Sequence, residues 1–565
     1  MWKMALSPRY LIATLVAACL HVINAATADD FQANCLSLKP EQYIHNSTRT
    51  VLEYVPAGTN LTFPDNVASC SRPSQVVSSD ICRLALSIPT SNRSSITFEA
   101  WLPRDWTGRF LGTGNGGIDG CIRYEDLAYG SSQGFATVGS NNGHNGTTAI
   151  AMLNNLDVAI DYAWRSLHTM VTSGKTLTKK FYHQSPSKSY YIGCSLGGRQ
   201  GIKAAEIFPH DFDGIVAGSP ALDFNHLISW RASFFPITGS ANSSDFITPS
   251  QWDTLIHDEI LKQCDGLDGV LDGIIEDPTI CDFRPEAIMC SSSTNATNCL
   301  TPTQVEMVRR IFSSFYGEDG QVIYPAMQPG SEIYAIQKLY AGAPFSYSDE
   351  WFKYVVYSNP YWNASNFNLR DAAAAEALNP GDIRTWPSSL ATFQSTGGKI
   401  ISFHGQQDNQ ITSFNTPRFY DRLLRGMQKT TSELDEFFRF FRISGMFHCN
   451  SGPGAWVIGQ GGDASAEGIP FAPQNNVLAA LVAWVENGTA PDTITGTKFI
   501  NDDPTEGIYF QRSHCRYPLR NTYLGGNSSR PESWACLPMG TIAQPISSLR
   551  DSTSIRPLMI QRSYT

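Results

Sequence analysis

Short apolar runs alternate with helical patterns in two separate blocks of this chain, and this alternation constrains the fold more than any other feature. In the first block GFATVGS, SKSYYIGC and FDGIVAGSPA have strand character, and GGRQGIKAAEIFP between the last two has helical periodicity. The second block begins with the strand-like run GGKIISFHG. Strands that alternate with helices pair in parallel, so the sequence predicts an α/β fold with a parallel sheet.

The N-terminus has the pattern of a secretory signal peptide. Lys3 and Arg9 give a positive start, YLIATLVAACL is apolar but too short to span a bilayer, and small residues follow at Ile23–Ala25. Of the 13 cysteines only Cys19 lies in this segment, so an even number remains, which indicates disulfides and a secreted, extracellular protein. Glycosylation sequons agree with secretion, and they occur at Asn46, Asn60, Asn92, Asn145, Asn242, Asn295, Asn363, Asn487 and Asn527.

The region between the two blocks lacks strand–helix alternation. A chain of 565 residues exceeds one ordinary hydrophobic core, and aromatic residues, cysteines and acidic loops crowd between residues 224 and 390. We interpret this region as an inserted lid domain. The predicted divisions are a signal peptide at 1–25, the first part of the core at 26–223, the lid at 224–390, the second part of the core at 391–540 and a loose tail at 541–565.

Charge and hydropathy exclude two classes of partner. The net charge is −10 and basic residues do not cluster, which argues against nucleic acid. No segment after the N-terminus approaches the ~20 apolar residues that a membrane-spanning helix needs. We therefore expect neither nucleic acid nor a membrane as a partner.

The pattern Gly-x-Ser-x-Gly occurs twice, at 193–197 and at 130–134. A nucleophile elbow needs a strand before the serine and a helix after it, because the sharp turn lifts the serine above the sheet. Ser195 has both, whereas Ser132 is followed by the strand-like run FATVG. The sequence therefore predicts Ser195 as a nucleophile and Ser132 as a turn residue.

A serine nucleophile needs a base, and the base needs an acid that orients it. In α/β-hydrolases these residues follow the serine in the order acid, then histidine. Asp408 lies in the loop after KIISFHG, and His448 lies further on in a glycine-flanked loop. His404 is the alternative base, but its position at the end of a strand favours core packing. The order predicts an α/β-hydrolase core with Ser195, Asp408 and His448 as a catalytic triad.

Two cysteines adjoin the predicted triad. Cys194 directly precedes Ser195, and Cys449 directly follows His448. The serine and its base must come within hydrogen-bond reach, and a disulfide brings two Cβ atoms to ~3.8 Å. We predict a Cys194–Cys449 disulfide that ties the elbow to the histidine loop; the alternative is that both cysteines pair elsewhere.

The stretch GTGNGG formally matches the dinucleotide fingerprint GxGxxG. No helical pattern begins there, and secreted disulfide proteins rarely meet NAD, so we reject that interpretation. A loop after an early strand is expected to supply one oxyanion-hole amide; Gly116 is the candidate, although the pattern does not distinguish among Gly114 to Gly117. Leu196, directly after the nucleophile, is predicted to supply the second amide.

Six further stretches of this chain are informative together, namely WLPRDWTGRFLGTGNGG, YYIGCSLGGRQG, CDGLDGVLDGIIEDP, WFKYVVY, SELDEFFRFFRISGMFHC and VAWVENG. With the Cys-Ser, Asp and His-Cys pattern described above, they resemble the fungal tannase and feruloyl esterase family, and most closely its type B feruloyl esterases. The resemblance extends from about Cys35 to Cys536 and implies the roles predicted above for Ser195, Asp408 and His448. Phe447 departs from the family pattern, which has a small residue there, and its bulk is expected to narrow the site.

The run CDGLDGVLDGII places Asp265, Asp268 and Asp272 in one glycine-rich loop. Three carboxylates this close repel one another unless a cation or solvent separates them. The EF-hand spacing is absent, and the residues alone leave a calcium site and a solvated acidic turn equally open. The resemblance implies a structural calcium, with backbone oxygens of Val270 and Ile274 as further ligands, and no organic cofactor.

Cys264 and Cys281 bracket the acidic loop and are expected to pair. The other pairings follow from the resemblance alone, because sequence cannot fix connectivity. They are Cys35–Cys82, Cys70–Cys121, Cys290–Cys299 and Cys515–Cys536.

The predicted reaction is hydrolysis of a carboxylic ester through an acyl-enzyme. The resemblance implies feruloyl and other hydroxycinnamoyl esters of cell-wall polysaccharides such as xylan, or of small conjugates. Lid aromatics such as Trp351, Phe352 and Tyr354 are expected to bind the planar phenolic acyl group. A tannase that acts on galloyl esters is the alternative enzyme, and an inactive hydrolase-fold binding module is the alternative of a different class. The oligomeric state stays open, a homodimer included.

Overall fold

The computed structural model describes residues 28–291, 298–462 and 465–539, with side chains from Asp30 onwards. The predicted signal peptide, the predicted tail and the sequon at Asn295 lie outside these residues. The strands are β1 (Thr48–Val55), β2 (Thr59–Thr62), β3 (Ser74–Val77), β4 (Ile81–Pro89), β5 (Ser95–Pro103), β6 (Arg109–Thr113), β7 (Phe135–Ser140), β8 (Lys188–Cys194), β9 (Gly214–Gly218), β10 (Phe315–Tyr316), β11 (Val322–Tyr324), β12 (Lys399–Gly405), β13 (Phe438–Ile443), β14 (Thr493–Phe499), β15 (Ile508–Cys515), β16 (Leu519–Tyr523) and β17 (Trp534–Pro538). The α-helices are α1 (Ala28–Ser37), α2 (Tyr124–Ser132), α3 (Leu156–Ile160), α4 (Ser166–Tyr182), α5 (Leu196–Ile207), α6 (Phe224–Thr238), α7 (His257–Cys264), α8 (Pro302–Ile311), α9 (Glu332–Ala335), α10 (Ser346–Glu350), α11 (Leu369–Leu378), α12 (Ala391–Ser395), α13 (Asn415–Met427), α14 (Thr431–Leu434) and α15 (Val477–Asn487).

Nine strands form the central sheet, in the order β1-β4-β5-β7-β6-β8-β9-β12-β13. Neighbouring strands from β7 to β13 are parallel, as the alternation predicts. At the opposite edge of the sheet β1, β4 and β5 are antiparallel to their neighbours, and β5 pairs with β7. The four strand-like runs GFATVGS, SKSYYIGC, FDGIVAGSPA and GGKIISFHG form β7, β8, β9 and β12.

Helices cover both faces of this sheet. Along β8 the side chain of Tyr191 belongs to a hydrophobic cluster that includes residues of α4, α5 and α13. Its neighbours Tyr190 and Ile192 belong to a different cluster, which includes the apolar residues of α15. Because successive strand residues point to opposite faces, this division shows a sheet that is buried on both sides.

Between β9 and β12 the chain leaves the sheet and forms α6 to α12 and the short β10–β11 hairpin. Residues of α6 to α11 and of the hairpin form or pack against a hydrophobic cluster that includes Trp230, Trp252 and Tyr340. The same cluster contains Leu196 of α5 and Tyr162, so the inserted segment packs directly over the Ser195 turn.

The topology brings the predicted site residues to one edge of the sheet. Parallel strands present their carboxyl ends at the same edge, where the loops after β6, β8, β12 and β13 meet. These loops carry Gly116, Ser195, Asp408 and His448. Among the described residues, no helix is both long and apolar enough to cross a membrane.

Candidate active site

Ser195 occupies a sharp turn between β8, which ends at Cys194, and α5, which begins at Leu196. Its backbone has φ 63° and ψ −120°, a conformation that costs a non-glycine residue about 1–3 kcal/mol. The Ser195 N–H donates to the Gly218 carbonyl oxygen at 2.9 Å, which holds the turn to β9. A strained serine between a strand and a helix is the geometry of a nucleophile elbow.

The two glycines that flank the elbow are required by close backbone contacts. A Cβ atom at Gly193 would lie 2.8 Å from the carbonyl carbon of Gly197. A Cβ atom at Gly197 would lie 3.1 Å from the Asn115 carbonyl oxygen. The glycines therefore let α5 begin directly against β8 and against the loop after β6.

His448 and Asp408 form a hydrogen-bonded pair. The His448 Nδ1 lies 2.8 Å from Asp408 Oδ2 and 3.0 Å from Oδ1. Since an ionised carboxylate only accepts, Nδ1 carries the proton and Nε2 is the accepting nitrogen. Burial lowers the pKa of His448, and the attraction of Asp408 only partly offsets this effect. The imidazole is therefore neutral at pH 7 and able to take a proton.

Asp408 is fully buried, yet its surroundings stabilise its charge. Burial alone would raise its pKa, but the pairing with His448 and the hydrogen bonds from His404 and His448 lower the pKa of Asp408 well below its usual range. The backbone N–H groups of Gln410 and Ile411 also donate to Oδ1, at 2.8 and 2.9 Å. The carboxylate is thus ionised and fixed in orientation.

His404, the alternative base in the sequence analysis, contacts Asp408 rather than the cavity. Its Nε2 lies 3.2 Å from Asp408 Oδ2 and 3.0 Å from the Ile411 carbonyl oxygen, so Nε2 carries the proton. Its Nδ1 accepts from the Thr416 hydroxyl at 2.7 Å. With both ring nitrogens engaged and the residue fully buried, His404 supports the orientation of Asp408.

The structure contains the Cys194–Cys449 disulfide, with the two Cα atoms 6.0 Å apart. Ser195 and His448, which adjoin these cysteines, line the same cavity. The bond joins the end of β8 to the loop after β13, two segments separated by 255 residues. It therefore holds the histidine loop to the rigid elbow.

The predicted oxyanion donors lie around the elbow. The Leu196 N–H is the first of α5 and has no acceptor within the helix. In the loop after β6, the Gly114 N–H bonds to β8 and the Asn115 N–H bonds to Gln200 Oε1 at 3.0 Å. Gly116 follows and lines the catalytic cavity. Gly116 thus lies at the carboxyl edge of the sheet, as expected for an oxyanion loop. Its role as a hydrogen-bond donor to the oxyanion stays a prediction.

A side-chain network that the sequence analysis missed fixes the oxyanion loop. Gln200 on α5 accepts from the Asn115 backbone and donates through Nε2 to Asn115 Oδ1 at 3.2 Å and to Asn142 Oδ1 at 2.8 Å. Asn115 Nδ2 in turn donates to the Ser140 carbonyl oxygen at 2.7 Å. The sequence signal for this network was an amide side chain in each of GTGNGG and GGRQG. Both amides lie beside glycines, which let the two backbone segments approach each other closely.

The cavity that contains Ser195 and His448 has a volume of about 230 Å³. The inserted segment contributes Lys338 and Tyr347 to its wall. The core contributes three charged side chains, namely Asp119, Arg123 and Asp126. Burial raises the pKa of Asp119 to about 6, against the opposing effect of Arg123.

Phe447 does not narrow this cavity, contrary to expectation. Its ring is 5% exposed and packs edge-on against Tyr334, with the ring centroids 4.7 Å apart. Phe447 and Tyr334 line a different cavity, together with His257 and Gln407. Phe447 and His448 are adjacent in the chain, yet their side chains line different cavities.

The expectation for the lid aromatics was also wrong. Trp351 and Phe352 are fully buried within the inserted segment and pack into its hydrophobic cluster. Neither these residues nor Tyr354 lines the catalytic cavity, where Tyr347 is the aromatic residue present. Aromatic residues in the insertion thus serve mainly to build its own core.

The acidic loop lies on the inserted segment, between α7 and the Cys281 end of the Cys264–Cys281 disulfide. Its carboxylates are held by local backbone N–H groups, and Asp272 also accepts from Arg512 at 3.0 Å. Asp268 Oδ2 is buried without a hydrogen-bond partner. Burial and the neighbouring carboxylates of Glu276 and Asp272 raise the pKa of Asp268 to about 7. A buried, unpartnered carboxylate oxygen in an oxygen-rich loop fits a hard cation such as calcium.

Each of the other predicted disulfides is present in the structure. They are Cys35–Cys82, Cys70–Cys121, Cys264–Cys281, Cys290–Cys299 and Cys515–Cys536. Every sequon asparagine within the described residues is solvent-exposed.

Residues 82–537 match the family model described as tannase and feruloyl esterase. The chain belongs to this family. A relative named probable feruloyl esterase B-2, from Aspergillus flavus, is 62% identical over 495 residues, which cover 88% of this chain and 95% of that protein. Its namesake from Aspergillus terreus is 49% identical over 513 residues, or 91% of this chain and 96% of that protein.

Solved structures of family members share the fold. Feruloyl esterase B from Aspergillus oryzae is 45% identical, with a TM-score of 0.86 over 90% of this chain and 100% of that chain. Tannin acyl hydrolase from Aspergillus niger is 22% identical, with a TM-score of 0.69 over 91% of this chain and 96% of that chain, a likeness of fold alone. The α/β-hydrolase prediction is confirmed, and the protein is a carboxylic ester hydrolase.

Proposed function

We propose that this chain is a secreted serine esterase that hydrolyses feruloyl and related hydroxycinnamoyl esters. The observation that carries the proposal is the Asp408–His448 hydrogen bond on a loop that a disulfide joins to the Ser195 elbow. In this arrangement Ser195 is the nucleophile, His448 the general base and Asp408 the acid that orients the base.

In the acylation step Ser195 Oγ attacks the ester carbonyl carbon while His448 Nε2 takes its proton. The N–H groups of Leu196 and Gly116 stabilise the negative charge that develops on the carbonyl oxygen. His448 then gives its proton to the departing alcohol as the carbon–oxygen bond breaks. Asp408 stabilises the imidazolium that exists between these two transfers.

In the deacylation step a water molecule attacks the acyl-enzyme, and His448 takes a proton from the water. The bond to Ser195 Oγ breaks, the hydroxyl regains its proton from His448, and the carboxylic acid leaves. The neutral imidazole at pH 7, which follows from the burial of His448, suits both proton transfers.

Relatives named feruloyl esterase support a hydroxycinnamoyl acyl group as the substrate. A tannase activity on galloyl esters remains the alternative, since the family includes both activities. A galloyl ring carries more hydroxyl groups, so its pocket would need more polar partners. Polysaccharides such as xylan, or small conjugates, would supply the ester in either case.

A hydrolysis panel tests this proposal. Methyl ferulate, caffeate, p-coumarate, sinapate and gallate would be compared with the Ser195→Ala variant as the blank. We expect hydroxycinnamate esters to be hydrolysed with much higher kcat/KM than methyl gallate. Equal or faster turnover of gallate would assign the enzyme to the tannase branch, and no turnover of any ester would favour the inactive binding module.

We further propose that the acidic loop holds a structural calcium ion through Asp265, Asp268 and Asp272 and the backbone oxygens of Val270 and Ile274. Calcium would neutralise the mutually repelling carboxylates and stabilise the fold, with no part in the ester chemistry. The support is the buried, unpartnered Asp268 Oδ2 and the oxygen-only set of side chains.

Chelation of the purified protein tests the calcium proposal. EDTA should lower the Tm, and added calcium should restore it, because an ion that binds only the folded state stabilises that state. The Asp268→Asn variant should show a lower Tm and a weaker response to calcium. An unchanged Tm on chelation would contradict the proposal.

Secretion with glycosylation is part of the same proposal. The disulfides and the exposed sequon asparagines support an extracellular location. N-terminal sequencing of the protein from culture medium should begin just after Ala25, and a glycosidase should lower its apparent mass. Retention inside the cell with an intact N-terminus would contradict secretion.

A further inference from the structure

The cavity that contains Ser195 is also lined by a lysine, Lys338, for which the described residues supply no ion-pair partner. Lys338 follows α9 on the inserted segment and lines the cavity with Ser195 and His448. Within the described residues it makes neither a salt bridge nor a side-chain hydrogen bond, in contrast to Lys353, which pairs with Asp349 at 2.6 Å. Lys338 therefore presents an uncompensated positive charge to whatever occupies the cavity.

The surroundings of Lys338 make this charge effective. The Lys338 side chain is exposed. Desolvation by the surrounding protein nevertheless lowers the pKa of its ammonium group, and the guanidinium of Arg231 lowers it further. Asp408 attracts it, but that carboxylate is already hydrogen-bonded to His448 and His404. Bringing an anion to the ammonium group would offset the repulsion from Arg231.

The two carboxylates of the cavity wall are engaged elsewhere. Asp126 Oδ1 accepts from the Gly462 N–H at 2.7 Å. Asp119 Oδ1 accepts from the Cys121 N–H at 3.3 Å and is close to Arg123. Both belong to the core side of the cavity, whereas Lys338 belongs to the inserted segment. They do not neutralise Lys338.

The acyl half of the proposed substrate has no charge to offer this lysine. The carboxyl group of a hydroxycinnamic acid is consumed in the ester bond, and phenolic hydroxyls ionise only near pH ~10. An anionic group that binds Lys338 would therefore lie on the alcohol half of the ester. Hydroxy acids and uronic acid residues are alcohols that carry a carboxylate.

We propose that Lys338 recognises a carboxylate on the alcohol portion of the ester substrate. Lys338 is then a specificity-determining residue that favours hydroxycinnamoyl esters of acidic alcohols over neutral ones. The inference rests on the proposed function, since it assumes that the cavity binds an ester whose acyl half is neutral.

The test compares two esters that differ by one charge. The probes are 5-O-caffeoylquinate, which is anionic, and its methyl ester, which is neutral. The measured quantity is the ratio of kcat/KM for the anionic ester to that for the neutral ester, in the wild type and in Lys338→Met. We expect the ratio to fall about tenfold in Lys338→Met, mainly through KM, which corresponds to about 1.4 kcal/mol.

Two further variants control this measurement. Lys338→Arg keeps the charge and should retain most of the ratio. Lys179→Met removes an exposed lysine of α4 that does not line the cavity, and it should leave the ratio unchanged. Added salt should lower the ratio in the wild type but not in Lys338→Met, because ions screen the attraction. Thermal unfolding would show that each variant is folded.

Three results would overturn the proposal. A ratio that changes less than twofold in folded Lys338→Met would show that the lysine does not select charge. Weaker inhibition by free ferulate with an unchanged ratio would show that it binds the acyl product instead. If the wild type hydrolysed neither quinate ester nor methyl ferulate, the proposed function itself would fail, which is a distinguishable outcome.

Discussion

The pattern Gly-x-Ser-x-Gly occurs at two places in this molecule, and its structure differs completely between them. At 193–197 the serine has φ 63° and stands between β8 and α5. At 130–134 Ser132 is the last residue of α2, is exposed, and donates through Oγ to the Tyr129 carbonyl oxygen at 2.7 Å. The same five-residue pattern thus forms a nucleophile elbow in one place and a helix end in the other.

The difference lies in what surrounds each serine rather than in the motif. The glycines of both copies are required by close contacts, since a Cβ atom at Gly130 would lie 2.6 Å from Leu111 and one at Gly193 would lie 2.8 Å from Gly197. Ser195 lines a cavity with His448, which is paired with Asp408, whereas Ser132 is exposed at the surface. A short motif therefore indicates catalysis only when the flanking secondary structure and the catalytic partner residues are present as well.

Alanine substitutions of the two serines should give the largest contrast. Ser195→Ala should reduce kcat for methyl ferulate by about 10⁶, because the nucleophile is lost. Ser132→Ala should leave kcat within about twofold, since a surface substitution away from the site changes little. Both proteins should be secreted and should unfold cooperatively. Comparable losses of kcat in the two variants would remove the distinction between the two motifs.

Removal of the orienting carboxylate should give the next largest effect. In Asp408→Asn the amide cannot fix the Nδ1–H tautomer of His448, and kcat should fall about 10⁴-fold, as in other Ser-His-Asp enzymes. The matched control is Asp126→Asn, which changes a carboxylate of the same cavity whose Oδ1 accepts from the Gly462 N–H. Steady-state kinetics would measure both, and a loss in Asp126→Asn as large as that in Asp408→Asn would contradict the triad.

The disulfide beside Ser195 should matter for turnover more than for folding. In the double variant Cys194→Ala, Cys449→Ala the histidine loop loses its link to the elbow, and a displacement of about 1 Å can cost ~100-fold in rate. We expect kcat to fall at least about 100-fold in a protein that remains folded.

The buried Cys35–Cys82 disulfide, which does not adjoin the cavity, provides the control. The double variant Cys35→Ala, Cys82→Ala should lose about 2–5 kcal/mol of stability and keep kcat at temperatures where it is folded. Calorimetry and kinetics of both variants would separate the two effects. Near-normal kcat in the folded Cys194→Ala, Cys449→Ala protein would show that the link to the elbow is dispensable.

Glycine substitutions should give the smallest contrast. Gly130→Ala and Gly193→Ala each force a Cβ atom into occupied space, and each should cost about 1–3 kcal/mol of unfolding free energy. Only Gly193→Ala displaces the elbow, so only this variant should also lose kcat. Denaturant unfolding and kinetics would check this, and a loss of kcat confined to Gly130→Ala would reverse the comparison.

Local sequence signals predicted the parallel sheet and the loops that carry Ser195, Asp408 and His448. These predictions succeeded because strand–helix alternation and the order of loops along parallel strands are properties of short segments. Even the pairing of Cys194 with Cys449 follows from their adjacency to those residues.

Contacts made by the inserted segment could not be predicted in the same way. Aromatic residues are common both in binding surfaces and in hydrophobic cores, so composition alone does not distinguish the two. Trp351 and Phe352 belong to the core of the inserted segment. The position of Lys338 in the cavity depends on how α6 to α12 pack over the elbow. The contact between His404 and Asp408 likewise depends on the course of the loop after β12 rather than on a motif.

Covalent labelling of the protein distinguishes Ser195 from Ser132 as the nucleophile. A fluorophosphonate ester reacts with a serine that a neighbouring base activates, and peptide mapping by mass spectrometry locates the adduct. We expect one phosphonyl group, on the peptide that contains Ser195, and no labelling in the Ser195→Ala variant. An adduct on Ser132, or labelling that persists in Ser195→Ala, would contradict this expectation.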